Sequence, residues 1–223
     1  MKLKTFLVFS IVSLGGAAFA APHASAAPAI QDGMIAVHSS TLDKLYLRAN
    51  ANLATYRRVM IDPVQVEFQK AWLRRMNDPR YVARLRPEDA QRIAGETTSN
   101  VGIIVADAFK ARGYEIVTAP GPDVLRLSPR VTELYVNAPD IFPPGETRSF
   151  TRAAGEATLT LEARDSVTGT LLAAAVDHGT AQDMMRLTQA TNVSNAFWFD
   201  ALYRRWAMSS AAEIDAAKNR PRT

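Results

Sequence analysis

The sequence predicts an α+β fold of two layers, a two-layer sandwich in which about five strands form a largely antiparallel sheet and two main helices pack on one face. Strand-like segments predict the sheet, and they occur at 56–68, 114–118, 124–137, 157–164 and 171–176. Two longer segments, 86–112 and 192–218, have helical patterns instead. Packing both helices on one face of the sheet would bury their apolar stripes.

The first twenty residues are interpreted as a secretory signal peptide. Lys2 and Lys4 precede an apolar stretch at 6–14, and Ala18-Phe19-Ala20 provides a small-x-small cleavage motif. We expect cleavage after Ala20, with cleavage after Ala26 as the alternative. A membrane-spanning helix needs about 20 apolar residues, and neither this stretch nor any later one is long enough. The mature chain is therefore predicted to be soluble.

The absence of cysteine excludes disulfides, thiolate catalysis and cysteine-ligated metals. Ala17 follows Leu14-Gly15-Gly16, where a lipoprotein would have its lipidated cysteine, so we expect a free periplasmic or secreted protein without a lipid anchor. The formal charge of +4 includes Lys2 and Lys4, which cleavage removes. The remaining charge is small, and no nucleic-acid partner is predicted.

The mature chain is predicted to form one domain over residues 41–218. Residues 21–40 are rich in Ala, Pro and Ser and are interpreted as a flexible leader, and residues 219–223 as a frayed tail. The first strand, 56–68, changes parity at Asp62-Pro63. Proline cannot donate to a strand ladder, so Pro63 predicts an edge position or a bulge.

The helix predicted at 86–112 has clear start and stop signals. Pro87 suits the first turn, Glu88 and Asp89 follow it, and Gly113 is placed to end the helix. Its buried stripe is predicted to contain Ala90, Ile93, Ala94, Val101, Ile104, Val105, Ala108 and Phe109. Gly95 and Gly102 are unfavourable inside a helix, and we interpret them as points of tight packing against the sheet.

The segments that follow are short strands and turns. A strand at 114–118 and a turn at 119–123 precede a longer strand at 124–137, in which the alternation changes phase near Pro129. Residues Asn137–Gly155 contain three prolines and two glycines and are predicted to be a long loop. Loops of this length are usually functional or disordered, and the sequence leaves both alternatives open.

The hairpin from Glu156 to Val176 has the clearest local pattern. Alternate residues from Ala157 to Ala163 are apolar, and the other parity is polar. The polar residues Thr158, Thr160, Glu162 and Arg164 predict a wet face. Residues 165–169 form the turn, after which residues 171–176 return as the partner strand. Nothing in this hairpin pairs a nucleophile with a base, so its role is interpreted as structural and not catalytic. The last helix has Val193, Phe197, Ala201, Leu202 and Trp206 as candidate buried positions.

Three blocks of sequence resemble a bacterial family known as domain of unknown function 3313. The first is residues 54–68 (ATYRRVMIDPVQVEF) with Trp72, the second is residues 157–172 with the Asp165-Ser-x-Thr-Gly169 turn, and the third is the aromatic segment 198–206. The resemblance implies an exported envelope protein. Family members are often lipoproteins, and this chain differs from them in lacking the lipidation cysteine. The family carries no established activity or catalytic residue.

The residues themselves predict no catalytic, metal or cofactor site. The three histidines, His23, His38 and His178, are not at metal-ligand spacing, and no G-x-S-x-G or phosphate-binding glycine motif occurs. His178 is expected to lie at the surface after the last strand. Two candidate pairs of carboxylates have structural explanations: a helix start explains Glu88 and Asp89, and a solvated strand end and turn explain Glu162 and Asp165.

Three features are candidates for binding instead. A basic run around 70–92 could meet an anionic envelope component, although charge runs are usually solvated helical faces. The last helix has more aromatic residues than one buried stripe can hold, so some could face a partner. The third feature is the 137–155 loop. The predicted interaction surface comprises Trp198, Tyr203, Trp206, Arg74, Arg75 and Arg84.

We therefore expect a non-catalytic exported envelope protein that binds a protein or envelope component through a sheet edge, the loop or the aromatic helix. The alternative is a periplasmic hydrolase or small-molecule binder with an unrecognised carboxylate or arginine site.

Overall fold

A computed structural model describes residues 33–76, 78, 87–137, 150–151, 153–182, 188–189 and 192–219. The helices are α1 (Lys70–Met76), α2 (Pro87–Lys110) and α3 (Asn192–Ala216). The strands are β1 (Met34–Val37), β2 (Lys44–Arg48), β3 (Arg58–Ile61), β4 (Gln65–Phe68), β5 (Glu115–Ile116), β6 (Val124–Val136), β7 (Phe150–Thr151), β8 (Ala153–Asp165), β9 (Leu171–Gln182) and β10 (Thr188–Gln189). None of these helices is long and apolar enough to cross a membrane.

Among the described residues, eight strands form one mixed sheet, whereas the sequence predicted about five strands in a largely antiparallel sheet. The order is β1-β2-β9-β8-β6-β3-β5, with β4 also paired to β6, and β7 and β10 form a separate small pair. The β3–β5, β3–β6 and β4–β6 pairs are parallel. The other pairs of this sheet are antiparallel. The prediction of a largely antiparallel sheet was wrong for the three parallel pairs, because α2 forms part of a crossover between β3 and β5, and crossovers connect parallel strands.

Pro63 and Pro129 both lie beside the break between β3 and β4. The strand predicted at 56–68 is broken into β3 and β4, which pair in turn along β6, and Pro63 lies in the break. The Asp62 N–H donates to the Leu127 carbonyl at 2.9 Å, so Pro129, two residues later, also directs its backbone toward this side. The backbone nitrogen of Pro129, which has no hydrogen to donate, therefore faces the break. The change of phase is not at Pro129, as predicted, but at a bulge around Glu133, whose φ is 51°.

The N-terminal part of the described chain corrects the prediction of a flexible leader for residues 33–40, whereas residues 21–32 lie outside the described residues. Strand β1 lies inside residues 21–40 and pairs with β2, which in turn pairs with β9. Both strands were missed because each is short and β1 follows a stretch rich in Ala and Pro, whose composition is typical of a linker.

Helix α2 begins at Pro87 and is followed by Gly113 at φ 82°, as its start and stop signals predicted. The explanation of its internal glycines was wrong. A Cβ at Gly95 would meet nothing within 4 Å, and one at Gly102 would be in ordinary contact with Val64 at 3.8 Å. Neither position requires glycine for close packing.

The β8–β9 hairpin extends further than predicted. The end of the predicted 137–155 loop is strand, because β7 and the start of β8 lie there; residues 138–149 of that loop are outside the described residues. His178 is within β9 and not beyond it, since the strand continues to Gln182. The prediction of a wet face is also partly wrong. Thr160 and Glu162 are buried, although α2 and α3 pack on the opposite face.

Helix α3 packs across β8 and β9 and against α2. Its buried positions include Leu202 and Trp206, as predicted, but Phe197 and Ala201 are exposed. The side chain of Val193 is outside the described residues. Gly179 leaves room for the helix, because a Cβ there would lie 2.4 Å from Leu202 Cδ1.

Candidate interaction surface

The arginines of α1 are exposed on a helix that one buried indole holds in place. Trp72 Nε1 donates to the Val136 carbonyl at 2.8 Å, and the Trp72 ring stacks on Phe68 with centroids 5.1 Å apart. Arg74 and Arg75 therefore project from a fixed helix. Both are exposed, and the Arg75 guanidinium lies 5.7 Å from the centre of the Tyr135 ring.

Two of the aromatic residues predicted at the surface belong to the core. Trp206 is fully buried and Tyr203 is buried beside it in α3. Burial raises the pKa of Tyr203, and its side chain bonds to Thr97 on α2. The prediction that Tyr203 and Trp206 bind a partner was therefore wrong, since both side chains hold α3 against the rest of the fold. Arg84 lies outside the described residues.

The remaining aromatic residue, Trp198, is half-buried against the core. It is part of an edge-to-face pair with Phe197, with ring centroids 4.9 Å apart. The Phe197 side chain is 62% exposed. An exposed phenylalanine ring is therefore in contact with a half-buried indole.

Helix α2 adds a third apolar residue to this surface. The Asn100–Asp200 hydrogen bond of 2.9 Å and the Thr97–Tyr203 bond set α2 and α3 antiparallel. One turn beyond Asn100 on α2 is Ile103, which is 59% exposed, and one turn before Asp200 on α3 is Phe197. We call Ile103, Phe197 and Trp198 the apolar helix patch.

Sequence reasoning placed Trp198 on a candidate surface but missed Ile103 and assigned Phe197 to the core. A signal for Ile103 was available, because it does not belong to the buried stripe predicted for α2. No comparable signal existed for Phe197, because apolar residues occur on several sides of α3.

Polar contacts border the apolar helix patch. Arg204 Nε donates to Asp200 at 2.7 Å, one turn along α3. Burial alone would raise the pKa of Asp200, but the bonds from Arg204 and Asn100 lower it below its ordinary value. The carboxylate is therefore ionised at neutral pH and holds α3 to α2 beside the patch.

The groups of the hairpin turn have structural partners. Asp165 accepts hydrogen bonds from the Val167 and Thr168 N–H groups at 3.0 and 2.7 Å and from the Tyr56 hydroxyl at 2.7 Å. Ser166 bonds to both backbone groups of Gly121, at 2.9 and 3.0 Å. These contacts tie the turn to the segments that precede β3 and β6, whose first residues lie at the same end of the sheet.

The other carboxylates considered from the sequence also have local partners. Glu162 pairs with Arg164 at 2.7 Å, and Glu88 and Asp89 lie in the first turn of α2. Within the described ranges, no group of three or more His, Asp or Glu side chains could hold a metal ion.

One pair of carboxylates that the sequence did not indicate does come together. Burial, and next the charge of Asp43, raise the pKa of Asp177. Asp43 Oδ2 also accepts the His178 N–H at 2.8 Å, and Arg205 acts in the opposite direction on Asp177. His178 Nδ1 lies 3.2 Å from the Thr158 hydroxyl.

A family model described as a protein of unknown function, DUF3313, matches residues 28–209, which confirms the resemblance found in the sequence. Comparison with curated proteins gives no match. Solved structures similar to the chain include the following two. They are the PelC dodecamer from Paraburkholderia phytofirmans (12% identity, 74% of this chain and 96% of that chain, TM-score 0.39) and a minor lipoprotein from Acinetobacter baumannii (10% identity, 73% and 95%, TM-score 0.34). Similarity this distant assigns no function.

Proposed function

We propose, from the premise that the chain belongs to the DUF3313 family of proteins of unknown function, that it is a non-catalytic, exported protein of the bacterial cell envelope. In this proposal it binds another protein through the apolar helix patch. The observation that carries the proposal is the exposure of Phe197, at 62%, in an edge-to-face pair with the half-buried Trp198.

The apolar helix patch has the composition of a binding site. Trp is enriched among the residues that dominate interface energetics, and Trp198 is already held against the core, so little side-chain freedom would be lost on binding. Ile103 widens the apolar area on the neighbouring helix. Arg204 and Asp200 form a polar border beside it, as is usual at the rim of a protein interface.

The location in the envelope is supported by the sequence of residues 1–20, which has the three parts of a secretory signal. We expect the protein to be recovered from the periplasm or medium with Ala21, or Ala27 after the alternative cleavage, as its first residue. N-terminal sequencing and intact mass measure this. Protein retained in the cytoplasm with residues 1–20 attached would contradict the proposal.

Site-specific photocrosslinking in cells tests the binding surface. A photoreactive phenylalanine analogue placed at Phe197, and separately at Ile103, should give the same protein adduct. Val167 is the matched control, because it is 65% exposed but lies in the hairpin turn. The adduct from position 103 should decrease when Phe197→Ala is added. Equal labelling from position 167, or different adducts from 103 and 197, would refute the proposal.

A second candidate function is a hydrolase or small-molecule binder, favoured by the approach of Asp43 and Asp177. A carboxyl group with a raised pKa beside a second carboxylate is the arrangement of a general acid, and Arg205 adds a cation. Any turnover found by screening the purified protein should then be lost in Asp177→Asn and kept in Glu67→Gln, which changes an exposed carboxylate of β4. If turnover is lost in neither variant, this candidate function is excluded.

A further inference from the structure

Strand β1 forms one edge of the large sheet. Within the described ranges it pairs only with β2. The Gly33 carbonyl accepts the Ala49 N–H at 2.8 Å, which fixes the direction of the backbone groups along β1. Because these directions alternate in an antiparallel pair, the N–H and C=O groups of Met34 and Ala36 point away from β2.

Within the described residues, this edge has none of three common features that block pairing with another strand, although β1 is short. Exposed edges are normally blocked by charged side chains, proline or a bulge, but β1 reads Met-Ile-Ala-Val and its four residues pair with β2 in unbroken register. Ile35 is 49% exposed. The strands at the other side differ, because β5 has only two residues and β4 follows Pro63.

We propose that β1 pairs antiparallel with β1 of a second copy of this chain, about a two-fold axis that passes through Ile35. In that register Met34 of each copy lies opposite Ala36 of the other, and all four outward backbone groups of each strand are bonded. Ile35 lies opposite Ile35 of the second copy, so the exposed side chains cover each other on the helix-bearing face.

The occupant is a second copy because the strand is complementary to itself in this register. β1 carries no charge, so the two-fold pairing opposes no like charges, which would destabilise it. The contact is small compared with the roughly 1,000 Å² that a stable interface buries. We therefore infer a reversible dimer whose population rises with protein concentration. The inference is independent of the apolar helix patch.

Single cysteines test the register, because the natural chain has none. Residues opposite each other in a non-hydrogen-bonded pair have Cα atoms about 4.5 Å apart, within the range for a disulfide. Ile35→Cys should therefore form a disulfide-linked dimer under mild oxidation. Ala36→Cys, separated from its own copy by a diagonal of about 7–8 Å, should not. Val167→Cys, at the hairpin turn, controls for random collision.

A proline at position 36 tests the edge without breaking the monomer. Ala36→Pro removes an N–H that points away from β2, so the β1–β2 ladder is kept while two of the bonds between the copies are lost. We expect Ile35→Cys crosslinking to be lost in this background, and the wild-type shift toward dimer with concentration in sedimentation velocity to disappear. The proposal is overturned if Ile35→Cys and Val167→Cys crosslink equally or if Ala36→Pro has no effect. It is also overturned if the wild-type protein is a monomer at every concentration.

Discussion

Replacing Tyr56 by phenylalanine tests whether a single buried phenol anchors the hairpin turn. Tyr56 is buried, and its hydroxyl donates to Asp165 Oδ2 at 2.7 Å. Phenylalanine keeps the packing of the ring and removes only this bond. Asp165 would retain its bonds from the Val167 and Thr168 N–H groups, so the turn should stay formed while its connection to Tyr56 is lost.

The expected cost follows from the kind of bond. A hydrogen bond to a charged group contributes about 1.5–3 kcal/mol to the free energy of unfolding. Asp165 is half-buried, so water can solvate the freed oxygen, and we expect the lower end, about 1.5 kcal/mol. In a domain of this size that corresponds to a decrease in Tm of about 3–6 °C. Denaturant unfolding followed by circular dichroism measures the free energy.

The pH dependence adds an independent check. The Thr168 N–H, and next the Tyr56 hydroxyl, lower the pKa of Asp165 below 3.8, against the opposing effect of burial. A carboxyl group with a lowered pKa in the folded state stabilises the fold above its unfolded pKa, and this contribution is lost as the pH falls through the folded value. The difference between wild type and Tyr56→Phe should therefore be full near neutral pH and decrease below about pH 4.

Tyr46→Phe is the matched control, because Tyr46 is a half-buried tyrosine on β2. Its change in the free energy of unfolding should stay within about 0.5 kcal/mol. If Tyr56→Phe costs no more than Tyr46→Phe, or if its cost does not change between neutral and acid pH, the phenol does not anchor the turn and the reasoning fails.

Three further substitutions test packing, each by the midpoint and free energy of denaturant unfolding. Gly95→Ala should stabilise the protein by about 1 kcal/mol, because alanine is the better helix former and a Cβ there meets nothing within 4 Å; a destabilised variant contradicts this. Gly155→Ala should destabilise by about 3 kcal/mol, since its Cβ would lie 2.0 Å from the Tyr135 carbonyl oxygen, and a neutral effect would show that β8 can shift. Trp72→Phe leaves the Val136 carbonyl without its indole donor and should lower the free energy of unfolding by about 1–3 kcal/mol. If the loss is no larger than that of a substitution at an exposed position, the indole does not anchor α1.

The elements that sequence reasoning predicted well are those specified by local chemistry. Helix α2 has its proline and acidic residues at the start and Gly113 at the end, and the β8–β9 hairpin has both alternation and turn residues. The pairing of strands was not predictable in this way. Whether β3 runs parallel to β6 depends on the path of α2 between distant segments, which no local pattern records.

The candidate site was less predictable than the fold. The aromatic residues of α3 were recognised as too many for one stripe, but their number does not say which side faces β8 and β9. Packing determines which side of α3 faces the sheet, because Leu202 fills the space over Gly179 and Trp206 follows one turn later on the same side. Phe197 is on the other side of the helix as a result.

The apolar helix patch and the β1 edge lie near opposite ends of α3, so both can be used at once. Ser39, two residues after β1, donates to Glu213 near the end of α3 at 2.7 Å, whereas Phe197 is near its start. Glu213 follows Phe197 by sixteen helical positions, which corresponds to about 24 Å along the helix axis. The disulfide-trapped Ile35→Cys dimer should therefore still give the adduct from a photocrosslinker at Phe197. Photocrosslinking of the trapped dimer measures this, and loss of the adduct would mean that the two surfaces overlap and that at least one is misassigned.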